Sequence, residues 1–275
     1  MIFYKITFGK CDKDKREEAE DLICEYLAAL IHNGQIDINY DVVPWQGQMV
    51  AYVNALGLRA DRHRFHSEWG RKRLKAIQKY FGQTPVWTCN EDDPPKKLAT
   101  WKNASFLYLA TGLLDYCTSL GIGDDGCPLP YFRLPLTDAE KDDIYCWTAE
   151  YRELDAIWIG SGDLEMPAYR LLAEPDSSLS SEGRACCAAT EKATGVPTYY
   201  YLTRYFGRKD SEEKKRRCPG CGGEWFVEQP EGNTQFWHFD FQCKKCRLVS
   251  RLACREGDVN LRYAKIGEPR KGKDG

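Results

Sequence analysis

The amino-acid sequence predicts an α+β protein, in which a mixed sheet with helices is followed by a small C-terminal zinc ribbon. Three observations lead to this prediction. Short apolar runs typical of strands occur at the start of the chain and again near residue 200. Longer segments between them repeat apolar residues at three- and four-residue spacing, as amphipathic helices do. Two Cys-x-x-Cys motifs then lie near the C-terminus.

The N-terminal part of the chain predicts the element order β-α-β-β-α-β. This order suits an α+β sandwich with helices on one face of a mixed sheet. The expected strands are residues 2–8, 36–43, 48–56 and 84–88, and the expected helices are residues 14–32 and 63–80. Residues 105–116 predict a further strand.

The middle of the chain is predicted to be mainly helical. Thr137 and Glu140 have the spacing of a capping box, which predicts that a helix begins there. A later helix is expected over residues 179–194, because Gly195 lies where a C-terminal cap belongs. An aromatic strand at residues 198–202 follows.

Composition divides the chain into four predicted parts. Residues 1–206 form an α+β domain, and residues 207–217 form a charged linker without apolar residues. The zinc ribbon covers residues 218–250, with strands expected at 225–227 and 236–241. Residues 251–275 form a C-terminal extension that is expected to be partly disordered.

The zinc ribbon is predicted from four cysteines in two pairs, with 21 residues between the pairs. Each Cys-x-x-Cys turn points two thiolates at one place, and a hairpin between two such turns closes a tetrahedral four-sulfur site. Such a site holds one structural Zn²⁺ per chain, although four thiolates also bind iron. The predicted ligands are Cys218, Cys221, Cys243 and Cys246.

Charge and composition exclude several classes of protein. No apolar run approaches the roughly 18 residues that a membrane-spanning helix needs. The first residues lack the pattern of a signal peptide, so we expect a cytoplasmic protein whose 13 cysteines are thiols or metal ligands. The net charge of −2 is uneven, because residues 204–275 carry +6 and the preceding residues carry −8.

The basic C-terminal end indicates nucleic acid as a ligand. We expect the cations beside the cysteine turns to contact phosphates and an exposed aromatic ring to stack on bases. We expect weak, salt-sensitive binding, because the acidic remainder of the chain opposes it. The candidate residues are Arg216, Arg217, Lys244, Lys245, Arg247 and, for stacking, Trp237.

The alternative is a protein-binding function. In this interpretation the ribbon is purely structural, and the acidic N-terminal domain binds a basic partner, as an immunity protein or antitoxin does. No catalytic combination of residues stands out from the sequence, so we expect a protein that is not an enzyme.

Several stretches resemble a known bacterial family. They are the start MIFYKITF and the segments SGDLEMPAYRLLAEPDSSLSSEGR, GVPTYYYLTRYFG, RRCPGCGGEW and CKKCRLVS. The family is uncharacterised and is described as zinc-ribbon-containing, with a suggested nucleic-acid-binding role. The resemblance implies a zinc ribbon on the four cysteines and names no catalytic residue.

The sequence departs from this family upstream, where its members often carry further cysteine pairs. Only the separate residues Cys89, Cys117 and Cys127 occur there, and free thiols are favoured over a second metal site because no Cys-x-x-Cys pair organises them. His63 and His66 lie three residues apart on the predicted second helix. That spacing suits either two metal ligands or a solvated helix face.

Overall fold

The computed structural model describes residues 1–92, 99–113, 118–228, 239–253 and 261–269. The chain divides into two units. The first contains the described parts of Met1–Ala99, Tyr116–Thr118 and Leu129–Cys146, and the second contains those of Thr100–Asp115, Ser119–Pro128 and Trp147–Gly275. Within the described residues, no helix is both long and apolar enough to span a bilayer.

The first unit has the predicted element order. Its elements are β1 (Ile2–Lys10), α1 (Arg16–His32), β2 (Ile36–Trp45), β3 (Gln48–Ala55), α2 (Glu68–Phe81) and β4 (Val86–Cys89). The strands form a sheet in the order β2-β3-β1-β4, and every neighbouring pair is antiparallel. This is the arrangement of a ferredoxin-like βαββαβ motif.

The core of the first unit lies between α1 and the sheet. Ile23, Leu27 and Leu30 of α1 recur at three- and four-residue spacing and are fully buried. They belong to one apolar cluster with Ile6 and Phe8, which lie two residues apart on β1 and therefore share one face of the sheet. Amphipathic spacing in both elements thus produces this core.

The second helix begins later than the sequence predicted. Residues 63–65 form a separate 3₁₀ turn, and α2 begins after Ser67. The Ser67 hydroxyl accepts a hydrogen bond from the backbone N–H of Gly70 at 3.0 Å, which satisfies a free donor of the first turn. The helix ends at Gly82, whose φ of 70° favours glycine.

The second unit contains a mixed sheet. Its strands are β5 (Leu107–Leu109), β6 (Leu120–Ile122), β7 (Thr198–Tyr201), β8 (Phe241–Cys243) and β9 (Leu248–Ser250), in the order β6-β5-β7-β9-β8. The two pairs that involve β7 are parallel and the outer pairs are antiparallel. The chain is therefore an α+β protein with one antiparallel and one mixed sheet.

The described residues contain five further α-helices. They are α3 (Asp138–Gly160), α4 (Glu165–Ala173), α5 (Ser178–Thr194), α6 (Asp210–Glu213) and α7 (Leu261–Ala264). The predicted capping box opens α3, because Thr137 N–H donates to Glu140 at 2.7 Å and Glu140 N–H donates to Thr137 Oγ1 at 3.2 Å. The sequence did not predict α4, α6 or α7.

Close packing between α5 and β7 depends on one glycine. A Cβ atom added at Gly183 would lie 2.3 Å from the ring of Tyr200 and 2.6 Å from Trp147 Nε1. That indole nitrogen donates to the Leu179 carbonyl at 3.1 Å, and both rings are fully buried. The absence of a side chain at Gly183 therefore lets two large aromatic rings occupy the core.

The C-terminal elements join the second sheet. β8 and β9 form a hairpin, and β9 pairs with β7 on its other side. Of the predicted ribbon strand at residues 225–227, Phe226 makes a single bridge to Phe241. The segment predicted as a linker, residues 207–217, contains α6 and two buried charged residues. The predicted domain limits stay a prediction. The β8–β9 hairpin, however, is part of the same sheet as β5, β6 and β7.

Candidate metal centre

Four cysteine sulfurs converge at one place in the second unit. The Sγ atoms of Cys218, Cys221, Cys243 and Cys246 all lie within 4.8 Å of one another, and the Cys221–Cys243 separation is 3.7 Å. Zinc–sulfur bonds of about 2.3 Å in a tetrahedron place neighbouring sulfurs about 3.8 Å apart. Disulfide sulfurs lie about 2.05 Å apart, and all four cysteines are free thiols. The group therefore fits a shared metal ion.

The first cysteine pair is held by a tight turn. The Cys218 N–H donates to the Gly223 carbonyl at 2.8 Å, and the Gly222 N–H donates to the Cys218 carbonyl at 2.7 Å. Gly222 has a φ of 70°, which a residue with a side chain rarely adopts. A Cβ at Gly220 would lie 2.9 Å from Cys246 Sγ, so this position must also remain small.

The second pair lies at the turn of the β8–β9 hairpin. Cys243 is the last residue of β8, and the Cys246 N–H donates to Cys243 Sγ at 3.4 Å. Arg247, with a φ of 54°, reverses the chain before β9 begins. Because strand pairing fixes both ends of this turn, the sheet itself determines where these two sulfurs point.

The four thiols differ in their surroundings. Cys218 and Cys243 are buried, whereas Cys221 is exposed. Burial raises the pKa of Cys218, and a hydrogen bond from the Gly223 backbone lowers the pKa of Cys221 to about 7. Burial also raises the pKa of Cys246, to about 11. Four sulfur donors complete a tetrahedral shell, so an ion held here stabilises structure and has no open position for water.

Arg216 lies in the interior behind the first turn. Its guanidinium carbon lies 4.7 Å from the ring centre of Trp225 and 4.5 Å from that of Phe241. The Trp225 indole N–H donates to the Arg216 carbonyl at 2.9 Å. The whole Arg216 residue is only 4% exposed, so its guanidinium is not available to a phosphate. The prediction that Arg216 contacts nucleic acid is therefore wrong.

A buried ion-pair network holds Arg216 in place. Glu213 receives two hydrogen bonds from Arg204, at 2.7 and 3.0 Å, and lies 3.2 Å from Arg216 Nε. All three side chains are at most 2% exposed. Burial alone would raise the pKa of Glu213, but the bonds and charges of Arg204 and Arg216 lower it below its ordinary value. We call Arg204, Glu213 and Arg216 the buried ion-pair network.

Arg247 is also engaged within the protein. Its guanidinium lies 2.8 and 2.9 Å from the two carboxylate oxygens of Glu191, and its Nη1 donates to the Lys244 carbonyl at 2.9 Å. The hydrogen bonds to Glu191 raise the pKa of Arg247 and lower that of Glu191. This ion pair connects the hairpin turn to α5. The Arg247 side chain is 39% exposed, so it is only partly accessible to a ligand.

Three of the predicted phosphate contacts remain on the surface. Lys244 and Lys245 are exposed between the second pair of cysteines. Arg217 is 53% exposed and pairs at 2.9 Å with Glu224, which is 85% exposed. Trp237, the predicted stacking residue, lies outside the described residues.

No other group of three or more metal-binding side chains occurs in the described part of the chain. Cys89 and Cys127 are exposed free thiols, and Cys117 lies outside the described residues. His66 does not pair with His63 toward a metal, because its ring bonds Tyr26 Oη at 3.0 Å. The buried role of His66 was not predicted, because the sequence pattern placed both histidines on a helix.

Three family models match consecutive parts of the chain. Each is described as a domain of unknown function: DUF8589 over residues 1–91, DUF2310 over residues 101–203 and DUF8594 over residues 207–255. The third covers α6, both cysteine turns and the β8–β9 hairpin. None of these descriptions names a metal or a ligand.

Two uncharacterised proteins of Haemophilus influenzae are similar to the chain. One is 34% identical over 157 residues, which cover 56% of this chain and 59% of that protein. The other is 34% identical over 146 residues, which cover 53% of this chain and 70% of that protein. The chain belongs to the same family as this second protein. No solved structure matches the chain.

Proposed function

We propose that this protein is a non-enzymatic zinc-ribbon protein, in which one zinc ion fixes a basic surface that binds nucleic acid. The observation that supports the metal is the convergence of four sulfurs within 4.8 Å. The proposal places the protein in the cytoplasm, where thiols stay reduced. Zinc is preferred to iron here because structural four-cysteine sites typically hold zinc.

The proposed ligand surface follows from the position of the cations. Arg217 directly precedes Cys218, and Lys244 and Lys245 lie between Cys243 and Cys246. Because the cysteine sulfurs meet at one point, the exposed residues next to them surround the same centre. Bound zinc would therefore hold these three cations together at fixed spacing, and such contacts position a phosphate backbone without reading its sequence.

The metal assignment is tested by elemental analysis of the purified protein. We expect one equivalent of zinc in the wild type and loss of tightly bound metal in a Cys221→Ser, Cys246→Ser double variant. Cys89→Ser, Cys127→Ser is the matched control, since it also removes two exposed or half-exposed thiols but none from the cluster. A full equivalent of metal in the first variant, or iron in the wild type, would overturn the zinc assignment.

The ligand is tested by binding to single-stranded DNA and RNA at two salt concentrations. Three phosphate contacts give a log–log salt slope of about −2 on a single strand. Lys244→Glu, Lys245→Glu should weaken binding to all sequences alike, whereas the same change at the exposed α2 residues Lys75 and Lys79 should not. If the wild type does not bind at about 50 mM salt, where phosphate contacts are strong, the nucleic-acid function is refuted. A basic protein partner for the acidic domain would then be the better proposal.

A further inference from the structure

A concave surface in the first unit is unusually rich in arginine. Five residues of the segment 59–66, which we call the arginine loop, line a pocket of about 590 Å³ together with Pro85 and Trp87. The loop residues that line it are Arg59, Asp61, Arg62, His63 and Arg64. This volume lies in the range of small-molecule sites, about 300–1,000 Å³.

The positive charge of this pocket is only partly neutralised within the protein. Asp61 is the one carboxylate among the lining residues, and it lies 3.7 Å from Arg62. Among the described residues, two lining residues, Arg59 and Arg64, form no ion pair with a carboxylate, and neither does Arg133, which lies outside the lining but close enough to feel their charges. Burial and the charges of Arg59 and Arg64 lower the pKa of Arg133. A bound anion would relieve this repulsion.

The arginine loop is fixed from behind by buried amide side chains. Gln35 donates to the Ala60 carbonyl at 2.5 Å, and Asn33 donates to the Phe65 carbonyl at 2.6 Å. The buried ring of His66 lies 3.3 Å from Gln35 Nε2. Burial lowers the pKa of His66 to about 4, so this ring is neutral at pH 7 and adds no charge. The loop is therefore pre-organised, and a ligand does not have to order it.

Arg59 occupies a position where the backbone conformation favours glycine. Its φ of 69° lies in the left-handed region, which glycine adopts without strain. The Arg59 side chain is exposed. Arginine is therefore an unfavourable choice for the backbone at this position, and its guanidinium is accessible to a ligand.

We propose that the pocket binds a nucleotide, with its phosphates on the guanidinium groups and its base on Trp87. Arginine presents paired N–H donors that match phosphate oxygens, and an indole ring stacks on a planar base. Pro85 and Trp87 are the apolar residues of the lining, whereas the arginine loop supplies its positive charge. The proposed site lies in the first unit and is independent of the zinc proposal.

Calorimetric titration of the full chain with ADP at low salt tests this site. We expect one ADP per chain, weaker binding of pyrophosphate, which lacks a base, and still weaker binding of adenosine, which lacks phosphate. Arg59→Gly should lower ADP affinity about tenfold, the effect of losing one charge-assisted hydrogen bond, while thermal stability stays equal or rises. Gln46→Gly is the matched control, because Gln46 also has a positive φ, 50°, and does not line the pocket.

Three results would overturn the proposal: no ADP binding by the wild type, equal ADP affinity in Arg59→Gly, or pyrophosphate binding as tight as ADP. Arg64→Gln provides a second test if Arg59→Gly does not fold, and it too should weaken ADP binding. Lys244→Glu, Lys245→Glu should leave ADP affinity unchanged. A loss in that variant would assign nucleotide binding to the metal centre instead.

Discussion

Replacing Glu213 with glutamine tests how the cysteine turns are supported. Among the described residues, Glu213 is the one carboxylate that pairs with both Arg204 and Arg216, and all three side chains are at most 2% exposed. Glutamine keeps the size of the side chain but removes its charge. Two guanidinium groups would then remain buried, and Glu268, whose Oε1 lies 3.8 Å from Arg204 Nη2, would be the carboxylate left beside them in the described structure.

The expected cost is large because the pair is buried. Removal of one partner from a buried ion pair typically costs about 3–5 kcal/mol, since the remaining charge stays desolvated. Glutamine still accepts one hydrogen bond from Arg204. We therefore expect the free energy of unfolding to fall by about 3 kcal/mol, the lower end of this range. Because Arg216 packs on Trp225 behind the first cysteine turn, metal should also leave faster.

Urea unfolding followed by near-ultraviolet circular dichroism measures this loss, and release of metal to a chromogenic chelator measures the second effect. Glu224→Gln is the matched control, because Glu224 pairs with Arg217 at a similar distance, 2.9 Å, but the two side chains are 85% and 53% exposed. We expect the control to change stability by less than about 1 kcal/mol. If Glu213→Gln costs no more than the control, the reasoning about burial is refuted.

Three further predictions concern the metal, pH and packing. Chelation should expose the amides of Tyr200 and Leu202, which donate to the Arg247 and Val249 carbonyls, to hydrogen exchange, while the amides of β1 and β3 stay protected. The pKa of His66, about 4 against 6.5, means that the folded state binds fewer protons, so stability should fall by up to about 3 kcal/mol as pH drops from 6.5 to 4. Gly183→Ala should cost about 1–3 kcal/mol in urea unfolding, because the new methyl meets Tyr200.

Each of these predictions has an outcome that contradicts it. Unchanged exchange at Tyr200 after complete metal removal would show that β9 does not depend on the ion. His66→Gln should flatten the pH dependence much more than the exposed His63→Gln, because the charge of His63 contributes less than burial to the lowered pKa of His66. Equal profiles would assign the effect elsewhere. Gly160→Ala has nothing within 4 Å of the new methyl and should be nearly neutral, so a similar cost there would exclude a packing explanation.

The sequence predicts the first unit well because its signals are local. Helix spacing and strand alternation in the first part of the chain predict the order β-α-β-β-α-β, which the structure shows. The capping box at Thr137 and the glycine after α5 are also local, and both are found where they were expected. The main error was to begin the second helix at residue 63. The helix is capped by Ser67, and the charged residues before Ser67 were wrongly included in it.

The second sheet could not be predicted because its pairings are distant in sequence. β5, β7 and β9 begin at residues 107, 198 and 248, and no local pattern states that they are neighbours. Each strand is only three or four residues long, so periodicity is a weak signal. The hairpin that carries Cys243 and Cys246 therefore looked like a separate module, although it extends a sheet.

The arginines near the cysteines show where a charge pattern fails. Arg216 and Arg217 are adjacent in sequence and look equivalent, yet one is buried and the other exposed. The difference has two sources that sequence reasoning can use. Glu213 lies three residues before Arg216, one turn away, and the rings of Trp225 and Phe241 are brought together by the Phe226–Phe241 bridge. A basic residue one turn after a carboxylate, followed by aromatic strands, should therefore be tested as a buried cation before it is assigned to a phosphate, because a cation that is already paired and desolvated gains little by binding another anion.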